Sequence, residues 1–249
     1  MGDEESRGSL AAMIGSTAQD YLKTIYKLRD SDGLVSPSLV AERLAVSPPA
    51  VTKMVRRLVE LNLVRIERGQ RIALTPAGEK IALEVIRHHR LLELYLKEAL
   101  GYSWDQVDAE AERLEHHISE DFEDRIDALL GYPTHDPHGD PIPTRDGVLP
   151  ADSHHRLTSL EPGEEAVIRR VRDGDPELLR YIGSLGLFPD TAIQMVRKEP
   201  FGGPLRVRVG GRECAIGREV GDSVFVDLVS TGDEPVHRKE ATDVGSGSA

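Results

Sequence analysis

Glu112, Glu115 and His116 stand at i, i+3 and i+4, a spacing that projects two carboxylates and an imidazole from one face of a helix. Asp108 lies one turn earlier on the same side, and on the preceding helical stretch His89 and Glu93 have i, i+4 spacing. Carboxylates this close oppose one another's ionisation, and a divalent cation relieves the repulsion. An oxygen-rich set with one imidazole suits manganese(II) or another hard ion better than a thiolate-seeking metal. The same spacing also serves a solvated helix face, and the triplet alone leaves both readings open.

A second group of residues could read DNA. Ser36-Pro37 and Ser47-Pro48 each pair a helix N-cap with a proline at the first helical position. They open two short helices in the proportions of a helix-turn-helix. The N-terminal turn of such a second helix meets base edges in the major groove. That turn holds or adjoins Ser47, Pro49, Ala50, Thr52 and Lys53. Thr52 and Lys53 can donate to base acceptors, whereas Pro49 and Ala50 suit thymine methyls. Arg56 and Arg57, one turn on, are placed for phosphates. So are Arg68 and Arg71, which flank a glycine turn between two short strand-like runs, the expected wing.

These groups must be positioned by a chain of 249 residues with a formal charge of −12. The length suggests two domains or three small ones. Residues 1–90 carry 14 basic and 11 acidic side chains, residues 91–152 carry 4 and 16, and the remainder carries 13 and 16. A mildly basic head before a strongly acidic middle suits a nucleic-acid contact in front of a cation site. Cys214 is the only cysteine, which excludes a disulfide framework and any multi-cysteine zinc or iron–sulfur site within one chain. The early apolar run 10–14 is too short for a signal peptide or membrane span, so the expectation is a cytoplasmic protein without a membrane partner. No nucleophile elbow, phosphate loop or dinucleotide fingerprint is present, which leaves a metal-dependent hydrolase without its machinery.

The expected architecture is mainly α with a small β domain. Residues 1–16 are a flexible N-terminus, 17–75 a winged helix-turn-helix and 76–131 a helical domain, with Ser103–Gln106 as a capping box opening one helix to about Ile118. Residues 132–156, rich in proline, glycine and histidine, read as a linker whose histidines are solvated. Residues 157–230 read as a small barrel with strands at 165–172, 191–198, 205–209 and 224–229, and 231–249 as a flexible tail. Cys214 reads as packing between strands, and Trp104 as packing a helix start.

The runs TAQDYLKTIYKL (17–28), SPPAVTKMVRRL (47–58), HHRLLE (88–93), ERLEHH (112–117) and DPHGDPIP (136–143) resemble the diphtheria-toxin-repressor family of metal-dependent transcriptional repressors. The resemblance covers residues 17–143. The C-terminal part resembles the SH3-like domain of many members. It implies a homodimer on palindromic operator DNA, with residues 76–131 as the dimerisation domain. It also implies a primary metal site of Asp20, Glu112, Glu115 and His116. Iron-responsive members have methionine and cysteine at the positions of Asp20 and Glu112, and manganese-responsive members have aspartate and glutamate, so Mn²⁺ is the implied cofactor. An ancillary site is implied at His89 and Glu93, with Asp108 where iron-type members have histidine. The C-terminal domain adds ligands to this second site, for which Asp173 and Asp175 are the nearest candidates. Short manganese regulators carry a glutamate where this chain has Lys23, so their two-ion arrangement is not implied here. The implied function is manganese-dependent repression of metal-homeostasis genes. The alternatives are an iron-responsive repressor of the same family and a winged-helix regulator sensing an organic ligand.

Overall fold

The computed structural model describes residues 14–150 and 153–229. The expected flexible tail 231–249, and all but residues 14–16 of the expected flexible N-terminus, lie outside them.

Helix α1, Ser16–Asp32, buries Tyr21, Leu22 and Ile25 and stops at Gly33, whose φ of 70° suits a residue without Cβ. Helix α2, Pro37–Arg43, opens as expected, with Ser36 Oγ accepting from the Leu39 amide. Helix α3, Pro48–Glu60, buries Val51, Val55 and Leu58 in helical register and leaves its other face to solvent. Strands β1, Val64–Glu67, and β2, Arg71–Leu74, pair antiparallel around Gly69 and Gln70, both at positive φ. These elements share one core with the start of the long helix α4, Pro76–Leu100. At the entry to α4, Gly78 packs so closely that an added Cβ would lie 2.0 Å from the Leu63 carbonyl oxygen.

Helix α4 is about 37 Å long at 1.5 Å per residue. It continues into a second core, where Leu92 and Leu96 meet Val107, Ala111 and Ile126 from α5, Val107–Leu114, and α6, Glu120–Leu129. Helix α5 starts three residues later than the capping-box reading places it. Ser103–Gln106 forms a turn, and Gln106 makes no side-chain cap. The helix also ends at Leu114, four residues short of the expected Ile118, so Glu115 and His116 stand just past it, although the Glu115 amide still donates to the Ala111 carbonyl. Arg87 binds Glu123 and Asp127, and His88 binds Glu123, which fastens α6 to α4.

The third core belongs to an antiparallel sheet in the order β3-β8-β4-β5-β6-β7, the small SH3-like domain. Its strands are β3 His155–Arg156, β4 Glu165–Val171, β5 Ala192–Lys198, β6 Leu205–Val209, β7 Arg212–Ile216 and β8 Val224–Leu228. Register shifts after Ile168 and Met195 mark bulges, which bend the strands they interrupt. Helix α7, Pro176–Ser184, packs Leu179 and Ile182 into this core, and a short helix α8, Arg218–Gly221, precedes β8. Cys214 lies within β7, a strand the sequence reading did not separate.

Residues 132–150 run as a fixed strap where a solvated linker is expected. Asp136 Oδ1 accepts from the His138 and Asp140 amides at 2.8 and 3.0 Å, closing a tight turn. Arg87 and Arg90 of α4 donate to the Pro143 and Pro141 carbonyls. On the other side the His138 carbonyl accepts from the Val171 amide, and Gly139 packs on the Arg169 carbonyl. The strap thus ties the long helix to β4. Trp104, expected to pack a helix start, instead packs at a tilt against His138 and Phe188 and completes the core of the C-terminal domain.

Candidate metal centre and nucleic-acid interface

Asp20 projects from α1, whereas Glu112 belongs to α5 and Glu115 and His116 to the turn beyond it. The fold brings these distant stretches together. His116 Nε2 lies 2.7 Å from Asp20 Oδ1 and 3.3 Å from Glu115 Oε1, and His116 Nδ1 lies 2.6 Å from Gln19 Oε1. Ligand-type atoms of Asp20, Glu115 and His116 all fall within 4.8 Å of one another. Those of His89, Glu112 and Glu115 do the same.

Lys23, one turn after Asp20 on α1, enters the second of these groups. Its Nζ donates to Glu112 Oε2 at 2.6 Å and to Glu115 Oε1 and Oε2 at 2.8 and 2.7 Å, and lies 3.3 Å from His89 Nδ1. Burial disfavours the ammonium, but the Glu115 and Glu112 carboxylates more than offset this and raise the Lys23 pKa. Burial alone would also raise Glu115, yet its hydrogen bond to His89 and the Lys23 charge hold its carboxyl below the usual range.

His89 faces two ways. Its Nδ1 lies 2.6 Å from Glu115 Oε2, while Nε2 lies 3.3 Å from Asp108 Oδ1 and 3.5 Å from Glu93 Oε1. Burial opposes protonation of His89, but Glu93, with hydrogen bonds to Asp108 and Glu115, holds its pKa well above the ordinary value. The expected trio of His89, Glu93 and Asp108 therefore lies within ligand distance.

Glu93 also belongs to a deeper group with Asp136 and His138, all three buried. His138 is fully buried, contrary to the expectation of a solvated linker histidine, because the turn capped by Asp136 directs it inward. His138 Nε2 lies 2.7 Å from the Trp104 carbonyl, whereas Nδ1 points toward Glu93 Oε1 at 3.7 Å. Both Glu93 oxygens, Asp136 Oδ2 and His138 Nδ1, with His89 Nε2 beside them, are buried without a hydrogen-bond partner among the described residues. Orphaned buried acceptors are costly and uncommon, and the converging Glu93, Asp136 and His138 atoms are of the types that hold a divalent cation. Burial, reinforced by Glu93 and Asp140, pushes the Asp136 carboxyl well above its usual range. Asp173 borders this group: burial opposes its ionisation, but Lys27 and His138 hold its carboxyl low. Asp175 does not reach it. Its carboxylate caps α7, accepting from the Glu177 and Leu178 amides at 2.8 and 3.3 Å. The signal for the deeper group was present in the sequence as Asp136 and His138 flanking a proline, two residues apart, but no periodicity marked their direction.

On α3 and just before it, Ser47, Pro49, Ala50, Thr52, Lys53, Arg56 and Arg57 are all exposed. Pro49, Thr52, Lys53, Arg56, Arg57 and Glu60 lie together along the exposed face of α3. Thr52 Oγ1 donates to the Pro48 carbonyl at 3.0 Å, so the hydroxyl proton expected to reach a base acceptor is engaged within the helix. Arg68 and Arg71 are exposed at the β1–β2 hairpin.

A winged helix joined to a helical body, with carboxylates and imidazoles gathered where the two meet, defines a metal-responsive DNA-binding regulator. Similarity to known proteins agrees. The pattern of the iron-dependent repressor N-terminal DNA binding domain matches residues 13–70, that of the iron-dependent repressor metal binding and dimerisation domain 75–144, and that of the FeoA domain 155–228. The chain belongs to the diphtheria-toxin-repressor family of metal-dependent transcriptional repressors, which are dimer-forming DNA-binding regulators and not enzymes. It is 35% identical over 225 residues to the iron-dependent repressor IdeR of Mycobacterium tuberculosis, covering 86% of this chain and 97% of that one. It is 34% identical over 158 residues to the diphtheria toxin repressor of Corynebacterium diphtheriae, covering 63% and 70%. A solved manganese-dependent transcriptional repressor in complex with manganese superposes with a TM-score of 0.78 at 37% identity, covering 85% of this chain and all of that one. The manganese regulator SloR superposes at 0.68 with 30% identity, covering 85% and 98%. Among the described residues, no helix is long and apolar enough to cross a membrane.

Proposed function

We propose that this chain is a manganese-responsive repressor whose DNA-binding head is fixed to its body through Asp20, Glu112, Glu115 and His116. The observation that carries this reading is the donor set: three carboxylates and one imidazole from two separate parts of the chain, with no sulfur. Such a set favours hard divalent ions, whereas methionine and cysteine at the positions of Asp20 and Glu112 would favour softer ones. A divalent ion held there supplies positive charge that cross-links α1 to the turn after α5. Restricting the head in this way orients both recognition helices of a dimer toward successive major grooves of a palindromic site. A coupling of about 1–3 kcal/mol would change DNA affinity roughly 5–150-fold. Exposed Leu100, Leu129 and Tyr132, on the segment with the dimerisation pattern, suit the face of a second copy.

Glu93, Asp136 and His138, with His89, Asp108 and Asp173 around them, are proposed as the second metal site. Asp173 comes from the loop between β4 and α7, so this site joins the C-terminal domain to the long helix. The protein is placed in the cytoplasm, where its operator DNA is.

An iron-responsive reading is favoured by the 35% identity to IdeR. The discriminating experiment is selection of binding sites from a randomised duplex pool in Mn²⁺, in anaerobic Fe²⁺ and in chelator, with wild type and the Asp20→Met/Glu112→Cys double variant. Wild type should enrich one sequence in Mn²⁺ and none in chelator. The double variant should lose Mn²⁺ response and gain relative response to Fe²⁺. An unchanged Mn²⁺ dose–response in the double variant would move the activating ion away from Asp20 and Glu112.

A further inference from the structure

Lys23 is the one feature of the metal cluster that a metal site does not call for. Its side chain is 7% exposed, and its ammonium touches both oxygens of Glu115, which is itself fully buried, as well as one of Glu112. A buried ammonium is tolerated only when its charge and its donors are met, and here carboxylates meet them. Lys23 Nζ also sits among the ligand atoms of His89, Glu112 and Glu115, a group with metal-type spacing. Glu112 is thereby drawn to Lys23, whereas Asp20, Glu115 and His116 gather next to it as a separate trio.

We propose that Lys23 is a built-in occupant of the ligand cluster: its ammonium holds Glu112 and Glu115 together when no divalent ion is bound, and must release Glu112 before that carboxylate can join Asp20, Glu115 and His116. The proposal rests on the metal-site reading above. Two consequences follow from charge alone. Asp20, Glu112 and Glu115 together present three negative charges, and Lys23 reduces the field that attracts a cation. It also clamps α1 to α5 without metal, so the metal-free protein keeps a partial link between head and body. Lys23 therefore sets how much free ion the repressor requires before it responds.

The test uses the full chain, stripped of metal, as wild type and as Lys23→Met, which keeps the length and removes the charge. Mn²⁺ binding is measured by calorimetry, and melting temperature is measured in chelator and in saturating Mn²⁺. The variant should bind Mn²⁺ about tenfold more tightly. It should melt lower than wild type in chelator and recover most of that difference in Mn²⁺. Lys23→Gln, which keeps a donor without the charge, should shift both quantities in the same direction by less, and it serves if the methionine variant does not fold. If wild type binds Mn²⁺ and both variants bind it equally or more weakly, Lys23 supports the ligands and the proposal is overturned. If wild type itself takes up no Mn²⁺, the metal-site reading fails, and an unchanged melting temperature of the variants in chelator separately refutes Lys23 as the clamp.

Discussion

The two acidic clusters in this protein solve the same electrostatic problem differently. Around Glu115, like charges are met from within: Lys23 donates to both oxygens and His89 to one. Around Glu93, 0% exposed, the facing imidazoles of His89 and His138 stand off at 3.5 and 3.7 Å, and four polar atoms from Glu93, Asp136 and His138 have no hydrogen-bond partner among the described residues. The first cluster is compensated before any ion arrives. The second carries a standing cost that an ion would remove. Neutralising one carboxylate in each cluster should therefore act in opposite directions on the metal-free fold.

The largest effect is expected from Glu115→Gln. It removes a ligand of the proposed primary site and leaves Lys23 buried with the exposed Glu112 as its only carboxylate partner. Loss of a ligand should weaken Mn²⁺ activation of DNA binding by about 100-fold or more. Removing one partner of a buried pair should also cost roughly 3 kcal/mol in the metal-free protein, readable as a lower denaturation midpoint in chelator. Equal stability of the variant and wild type in chelator would break the comparison on this side.

Glu93→Gln should move the other way in chelator. The substitution keeps the volume and removes a buried charge that pushes up Asp136. We expect a gain of roughly 1 kcal/mol without metal and a smaller stabilisation by added Mn²⁺ than in wild type. A variant less stable in chelator would mean that His89 and His138 already neutralise Glu93.

The pH dependence sharpens the same contrast. His89 is held well above its ordinary value of 6.5 in the folded protein. The folded state thus binds its proton more tightly, and this stability is complete below about pH 6.5 and lost as pH rises through the folded value. The raised Asp136 carboxyl acts in the same sense, its contribution falling away as pH rises above its ordinary 3.8. Lowered Glu115 acts oppositely, with stability present above about 4.5 and lost in acid. In chelator the melting temperature should therefore fall as pH rises above the ordinary histidine value of 6.5. In saturating Mn²⁺ the fall should shrink or reverse, because ligands must shed protons to bind. A chelated protein that gains stability over that window would contradict the assignment at His89.

The smallest effects lie at the DNA face. Lys53→Ala should relax sequence preference at one or two base positions. Arg57→Ala should weaken binding to all sequences about equally and reduce the salt slope by about 1. Uniform weakening by both would place the base-reading turn elsewhere.

The head was legible in the sequence because its signals are local. Ser36-Pro37 and Ser47-Pro48 open α2 and α3, and the glycine turn at Gly69 separates β1 from β2. The i, i+3, i+4 triplet was legible for the same reason. Lys23 was not, since a lysine between Leu22 and Ile25 gives no sign that its ammonium turns inward until α1 and α5 are both packed on α4. His138 was hidden by its setting, because proline- and glycine-rich segments are ordinarily solvated and only the Asp136 turn and the contacts with Trp104 and β4 bury it. The start of α5 was misplaced because Ser103 has the right spacing for a capping box, while Trp104 is drawn away into the core of the C-terminal domain. Strand β7 was missed because four of its five residues are not fully buried and give no apolar alternation.

The central claim is that a divalent ion joining Asp20 on the head to Glu112, Glu115 and His116 on the body makes the repressor competent for DNA. It is tested most directly by fluorescence anisotropy of a labelled duplex recovered from the site selection, titrated with the full-length protein in Mn²⁺ and in excess chelator. Wild type should bind tightly in Mn²⁺, release the duplex on chelator addition and rebind when Mn²⁺ is restored, while Asp20→Asn should show a much smaller difference between the two conditions. Equal affinity of wild type in Mn²⁺ and in chelator would contradict the claim.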